Sequence, residues 1–234
     1  MKPYDQVLEV WGDFACFSRP EIKVERFSYP VITPSAARGI FDAIYVKPKE
    51  FRWQVTKIEI LAESRFIALR RNEVKGRAPS DRTISQWMEG KKMPEPLMAD
   101  ESDEGTGRTQ RQTMALKDVR YRLHAEIRPW PGFEDRQQGL EAQFRRRAAN
   151  GKCVYQPCFG CREFPAFFEL VEPDAEPAQT AHIEQELGFM LYDVFDLSRP
   201  SLSEDAPRIS LFNASIKNGI LEIPSYDSPA VIKT

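Results

Sequence analysis

Histidine and cysteine are both scarce here: His124 and His182 are the two histidines, and Cys16, Cys153, Cys158 and Cys161 the four cysteines, in 234 residues. Four thiols cannot staple a chain of this length, so its core must come from apolar burial. Three of them fall in CVYQPCFGC, where Cys158 and Cys161 form a C-x-x-C pair and Cys153 lies five residues earlier. A structural zinc wants four ligands, and neither histidine stands at finger spacing. The group reads as incidental thiols, with a zinc site or a redox pair as the alternatives. Cys16, in FACFS, has no identifiable base partner. Long apolar runs are missing too. None approaches the roughly 18 to 20 residues of a spanning helix, and no segment resembles a signal peptide. The expectation is a soluble, cytoplasmic protein with no membrane partner. Glycine-rich phosphate loops, H-E-x-x-H and G-x-S-x-G are absent, which argues against an NTPase, a zincin and an α/β-hydrolase. The acidic tract ADESDEG has the look of a solvated loop rather than a metal cage. Neither a metal nor a cofactor is expected.

A large excess of charge of one sign is also lacking: the formal net charge is −2 and the pI about 5.9. The distribution is uneven, however. Residues 65–92 carry eight Lys+Arg against three Asp+Glu, and residues 108–152 carry eleven against five, whereas residues 169–205 carry one against ten. A basic middle ahead of an acidic region permits a nucleic-acid face that the average hides.

The length suits one large domain or two small ones. YDQVLEVWGDFACF reads as a strand. Thr33-Pro34 reads as an N-cap followed by proline at the first helical position, opening a helix to about Tyr45. Phe51 to Leu69 is β-type with a bend near Glu63-Ser64. The polar stretch 70–111 reads as a basic insertion or hairpin, with a short helix around Ile84–Met88 and a mobile acidic tract. LKDVRYRLHAEIRPW alternates strictly: Val119, Tyr121, Leu123, Ala125 and Ile127 on one face, Arg120, Arg122, His124, Glu126 and Arg128 on the other. GLEAQFRRRAANGK is a helix with Leu140, Phe144 and Ala148 inward, stopped at Asn150-Gly151. FGCREFPAFFELVE reads as strand throughout. The order β-α-β-(insertion)-β-α-β predicts an α+β chain whose residues 1–173 form a ferredoxin-like (RRM-like) domain. Residues 174–234, with a hairpin turn at Asn218-Gly219, predict a small C-terminal β-sheet domain.

The alternating face with Arg120, Arg122 and Arg128 suits phosphate tracking, although an ordinary solvated sheet face has the same composition. His124 on that face can serve as acid or base near neutrality, or simply bond a neighbour such as Glu126. Arg70-Arg71 and Arg145-Arg146-Arg147 are further basic clusters. The latter fans around a helix, so only some of it can face RNA.

Several pieces together resemble one family. They are Gly12-Asp13-Phe14-Ala15 with Phe17, Ser28-Tyr29-Pro30-Val31, Pro34-Ser35-Ala36-Ala37-Arg38-Gly39-Ile40 and Ile44-Tyr45-Val46-Lys47-Pro48. Arg71-Asn72-Glu73-Val74, Leu116-Lys117-Asp118-Val119-Arg120-Tyr121, Phe159-Gly160-Cys161-Arg162-Glu163-Phe164 and GFMLYDVFD continue the match. The chain resembles the CRISPR-associated RAMP-superfamily proteins of family five, subtype d (the Dvulg subtype of type I-C systems), which process CRISPR repeat transcripts. The resemblance implies metal-free cutting of the repeat RNA near the base of its hairpin. It further implies retention on the 5′ handle of the guide RNA, inside an interference complex with other type I-C subunits. It also implies that Tyr45, in the I-Y-x-x-P element, is a catalytic residue, completed by His124 and Lys117 on the strand. Arg38, Lys47, Arg70, Arg71, Arg120, Arg122, Arg128, Arg145 and Arg146 are the cations then assigned to RNA.

The chemistry of such a set is coherent. The 2′-hydroxyl attacks the neighbouring phosphorus, a base takes its proton, an acid protonates the leaving 5′-oxygen, and a cation stabilises the phosphorane. Products are a 2′,3′-cyclic phosphate and a 5′-hydroxyl. His124 suits acid or base, Tyr45 suits a donor or positioner, and Lys117, Arg120 or Lys47 suits the cation. The rival readings are a non-catalytic guide-RNA cap and a duplex-DNA-binding module. Non-specific duplex DNA binding is expected of such basic faces in any case.

Overall fold

The computed structural model describes residues 5–22, 25–74, 79–94, 107–200 and 206–233. The N-terminal strand β1 (Gln6–Ala15) is followed by a two-residue strand β2 (Arg26–Phe27) and helix α1 (Pro34–Ile44). Strands β3 (Phe51–Ile60) and β4 (Arg65–Val74), helix α2 (Asp81–Met88) and the long strand β5 (Arg108–Pro129) come next. Helix α3 (Gln137–Ala149) and strand β6 (Phe167–Leu170) precede the C-terminal strands β7 (Gln185–Asp193), β8 (Ser210–Lys217), β9 (Ile220–Glu222) and β10 (Val231–Lys233). All ten strands join one sheet with the path β10-β8-β9-β3-β5-β1-β6, with β7 on β8 and both β2 and β4 on β5. Every pairing is antiparallel except that of β2 with β5.

Local chemistry explains the boundaries. The Thr33 hydroxyl accepts from the Ala36 N–H at 3.2 Å, and Pro34 loses nothing at the first helical position because that N–H has no intrahelical partner. The β8–β9 turn needs two left-handed residues, supplied by Asn218 (φ 51°) and Gly219 (φ 72°). Strand β5 changes partner along its length: Tyr121–Pro129 pair with β3, and Arg108–Lys117 pair with β4. Asp118, with φ 58°, stands at the changeover.

The alternation read from the sequence is realised. Val119, Tyr121, Leu123, Ala125 and Ile127 are buried under α1 and α3, where Trp53 meets Phe41 at 4.9 Å and Phe144 at 4.7 Å between ring centroids. Arg120, Arg122, His124, Glu126 and Arg128 project from the opposite face of the sheet. The insertion is a β-arm: β4 and the first half of β5 pair residue for residue, with α2 in their connection. The acidic tract ADESDEG lies outside the described residues.

One strand is shorter than its sequence reads. Phe159–Phe164 form a turn, with Phe159 N–H on the Phe164 carbonyl at 2.8 Å and Phe164 N–H on that of Cys161 at 2.9 Å. Strand geometry resumes only at Phe167. Gly160 enforces the turn: its φ is +81°, and a Cβ there would lie 2.1 Å from the Cys16 carbonyl oxygen. The C-terminal strands continue the main sheet, because β9 pairs with β3 through Lys57–Glu222, Ile58–Leu221 and Glu59–Ile220.

Candidate cleavage site and nucleic-acid interface

Tyr45 closes α1. Its N–H reaches the Phe41 carbonyl at 2.9 Å, and its own carbonyl accepts the Trp53 indole N–H at 2.9 Å. Two more carbonyls of the final turn are satisfied from outside the helix, that of Ile44 by Arg147 Nε at 2.6 Å and that of Ala43 by the Val154 N–H at 2.7 Å. The residue is nearly buried, and its ring stacks on Phe51 at 5.5 Å. Its free side borders a cleft of about 430 Å³ between the α1 end and α3, lined also by Lys47, Arg136 and Gln143. Glu50 ties the two cations together: Lys47 Nζ lies 3.2 Å and Arg136 Nη1 3.0 Å from its carboxylate. A phenol and two anchored cations therefore share one open cleft. That set can donate a proton and stabilise an oxyanion.

The second candidate region is the outer face of the sheet. His124 lies opposite Val7 of β1 and Lys57 of β3. Its Nε2 stands 3.4 Å from Glu59 Oε1, long for a hydrogen bond, while Lys57 Nζ reaches the same oxygen at 2.6 Å. Burial pushes the Glu59 carboxyl up, but His124 and Lys57 outweigh it and hold it down at about 2. Glu9 gathers Arg120, through Nε at 2.8 Å, and Arg122, through Nη2 at 3.3 Å. Arg122 also donates to the Glu176 carbonyl, and Arg128 pairs with Glu126.

The structure does not bring Tyr45, His124 and Lys117 into one constellation. Tyr45 packs on Phe51 and Trp53, on the helix-covered face, whereas His124 projects from the outer face. Phe51 pairs with Pro129, twelve residues along β5 from Lys117, or roughly 40 Å at strand spacing. Arg38 is held within the fold. Its guanidinium binds Asp193 at 2.7 and 3.1 Å and also pairs with Asp42, so it ties α1 to β7. Burial works against its charge, but the two carboxylates overcome this and raise it above its ordinary value. Arg71 pairs with Glu163, and Arg145 with Glu172. Arg70 and Arg146 are exposed, the latter bonded to Gln143.

Arg136, Glu50 and Lys57 were not singled out in the sequence. Arg136 follows Glu134-Asp135 in a loop whose approach to Lys47 only the fold creates. The Lys47–Glu50 spacing of three residues was the one local signal of the cleft. Among the described residues, no three His, Cys, Asp or Glu side chains group as a metal site, and no helix is long and apolar enough to cross a membrane.

Comparison with known proteins gives concordant matches. The Cas5d model of the family described as CRISPR-associated protein (Cas_Cas5) matches residues 7–224. A relative from Mannheimia succiniciproducens, named CRISPR pre-crRNA endoribonuclease Cas5d, is 39% identical over 226 residues, 94% of each chain. One of the same name from Thermus thermophilus is 38% identical over 230 residues, covering 93% of this chain and 90% of its own. Among solved structures, a CRISPR-associated protein superposes with a TM-score of 0.65 at 19% identity, over 98% of this chain and 97% of its own. A functionally uncharacterised protein from Streptococcus mutans gives 0.63 at 18% identity with the same coverage. At these identities the two structures speak for the fold alone.

Proposed function

The chain belongs to the Cas5d family of CRISPR-associated proteins, and on that premise we propose that it is a pre-crRNA endoribonuclease cutting CRISPR repeat RNA in the Tyr45 cleft. The observation that carries the reading is the Tyr45 side chain bordering an open cleft with Lys47 and Arg136, both tethered by Glu50. The repeat's 2′-hydroxyl attacks the adjacent phosphorus as its proton leaves to solvent or to a base of the bound complex. The Tyr45 hydroxyl protonates or positions the leaving 5′-oxygen, and Lys47 and Arg136 stabilise the phosphorane. These roles need no metal ion, and the products are a 2′,3′-cyclic phosphate and a 5′-hydroxyl. Arg120, Arg128 and the exposed Arg70 and Arg146 hold the RNA. His124 and Lys117, on the other face and the far end of β5, are assigned to RNA contact rather than to the cut. After cleavage the protein stays on the 5′ handle within a cytoplasmic type I-C interference complex. The order β3-β5-β1-β6, with α1 and α3 on one face, supports a ferredoxin-like unit over residues 1–173, with 174–234 as its β-extension.

The test is incubation of the purified protein with its own repeat RNA in EDTA, with end-group analysis of the products. Cleavage in chelator to the cyclic phosphate is expected, slowed about 10² to 10⁴-fold by Tyr45→Phe at little-changed RNA affinity. Activity that requires Mg²⁺, or normal cutting by Tyr45→Phe, overturns this mechanism. The separation of Tyr45 from His124 favours one second reading, a guide-RNA cap without catalysis. It predicts tight repeat binding and intact RNA.

A further inference from the structure

The loop after Tyr45 has two sides. Lys47 faces the cleft just described, while Val46, Pro48 and Phe51 line a second cavity of about 310 Å³. Phe51, Trp130 and Phe195 give that cavity aromatic walls. Trp130 is held rigidly, its indole N–H on the Pro48 carbonyl and its backbone N–H on that of Glu50, both at 2.9 Å. Phe195 is 40% exposed, with the Arg38 guanidinium 5.6 Å from its ring. Its backbone N–H is fixed by the Asp193 carboxylate at 2.9 Å. These are ordered aromatic surfaces lining one open space.

Arg52 supplies the polar half of the argument. It lines the same cavity with its side chain only 12% exposed. Its Nη2 binds Asp227 at 3.0 Å, and its guanidinium lies 5.5 Å from the Tyr226 ring. Its Nη1 is buried and has no hydrogen-bond partner among the described residues. A buried N–H without an acceptor is costly, and native proteins seldom leave one so. The complement of aromatic walls is a flat ring, and an acceptor atom on that ring satisfies the Arg52 donor once the guanidinium turns from its enclosed position into the cavity. Unpaired RNA offers that ring, because sequence-specific RNA recognition splays single bases out to stack on aromatic side chains and bond along their edges.

We propose that this cavity accepts one unpaired nucleobase of the repeat RNA, stacked against Phe195 and Trp130 and hydrogen-bonded by Arg52. The proposal rests on the endoribonuclease reading and deepens it. With the 46–51 segment shared, a base seated here fixes the neighbouring phosphate over Tyr45. The cut position is then set by which nucleotide enters the cavity.

An abasic walk tests it. Repeat RNAs lacking one base at a time are titrated against the wild type and against Phe195→Ala. In the wild type, one unpaired position should lose about tenfold in affinity, within the range of base–aromatic stacking. Phe195→Ala should lose a similar factor on intact RNA and show no further penalty at that position. Phe195→Tyr, which keeps a ring, should restore the penalty and excludes a folding defect as its cause. Equal losses at all positions, or losses in Phe195→Ala that multiply with the abasic penalty, overturn the base pocket and leave the cleavage reading standing. Failure of the wild type to bind intact repeat RNA sinks both.

Discussion

Tyr45 and His124 point to opposite sides of the same sheet, and that decides how their substitutions combine. Tyr45→Phe keeps the ring stacked on Phe51 and removes only the hydroxyl. It should act on the cleavage rate, by about 10² to 10⁴-fold. His124→Ala removes a side chain that neighbours Glu59 and Lys57 on the outer face. It should weaken RNA binding a few-fold and leave the rate of the bound complex nearly unchanged. Residues without shared partners add in free energy, whereas members of one catalytic unit do not. Single-turnover kinetics on the double variant should therefore give the product of the two separate effects. His124→Ala alone slowing the bound complex about 10²-fold or more, with a double variant no worse than the poorer single one, would place both residues in one machine and require RNA or a partner subunit to bring them together. The sequence already held the clue to their separation. Strict alternation set His124 on the face away from Tyr121 and Leu123, and those apolar residues had to lie under the helices, one of which ends in Tyr45.

At the level of elements, what was legible in the sequence follows from local rules. The faces of β5, the cap at Thr33, the three inward residues of α3 and the Asn218-Gly219 turn each depend on neighbours in the chain, so pattern reveals them. Illegible features depend on contacts across long separations. The turn at Phe159–Phe164 exists because Gly160 presses on the Cys16 carbonyl, 144 positions earlier, a contact no local composition announces. Arg38 reads as a helix-surface cation until β7 delivers Asp193 to it. That pair is the tie between α1 and β7, and Asp193 is 1% exposed. Arg38→Met should cost about 3 to 5 kcal/mol, because it strands a buried carboxylate. Urea denaturation at neutral pH measures the loss. A cost under about 1 kcal/mol, or a direct loss of RNA affinity without loss of stability, would return Arg38 to the RNA-binding set.

Over the whole molecule, most of the cations first assigned to RNA are paired within the fold. From the acidic stretch after residue 168, Glu172 takes Arg145 of the basic one and the Glu176 backbone carbonyl accepts from Arg122, while Asp193 takes Arg38 of α1. Elsewhere Glu9, Glu50, Glu126 and Glu163 take Arg120, Lys47, Arg128 and Arg71. Of the nine cations first assigned to RNA, only Arg70 and Arg146 lack a carboxylate partner among the described residues. Each phosphate contact by a free cation contributes about 0.7 to the log–log salt slope for single strands. Nine such contacts would give a slope near −6, and two would give about −1.4. A cation already paired with a carboxylate releases fewer counterions on meeting a phosphate, since its own partner must be exchanged. Repeat-RNA affinity measured between 50 and 200 mM salt should therefore fall with a slope of about −1 to −3. Duplex DNA, recognised through its phosphates alone, should compete poorly at physiological salt. A slope near −6, with DNA competing as well as RNA, would mean that these ion pairs open on binding. The outer face of the sheet would then be a general polyanion surface, and the Tyr45 cleft would lose its claim to select the RNA.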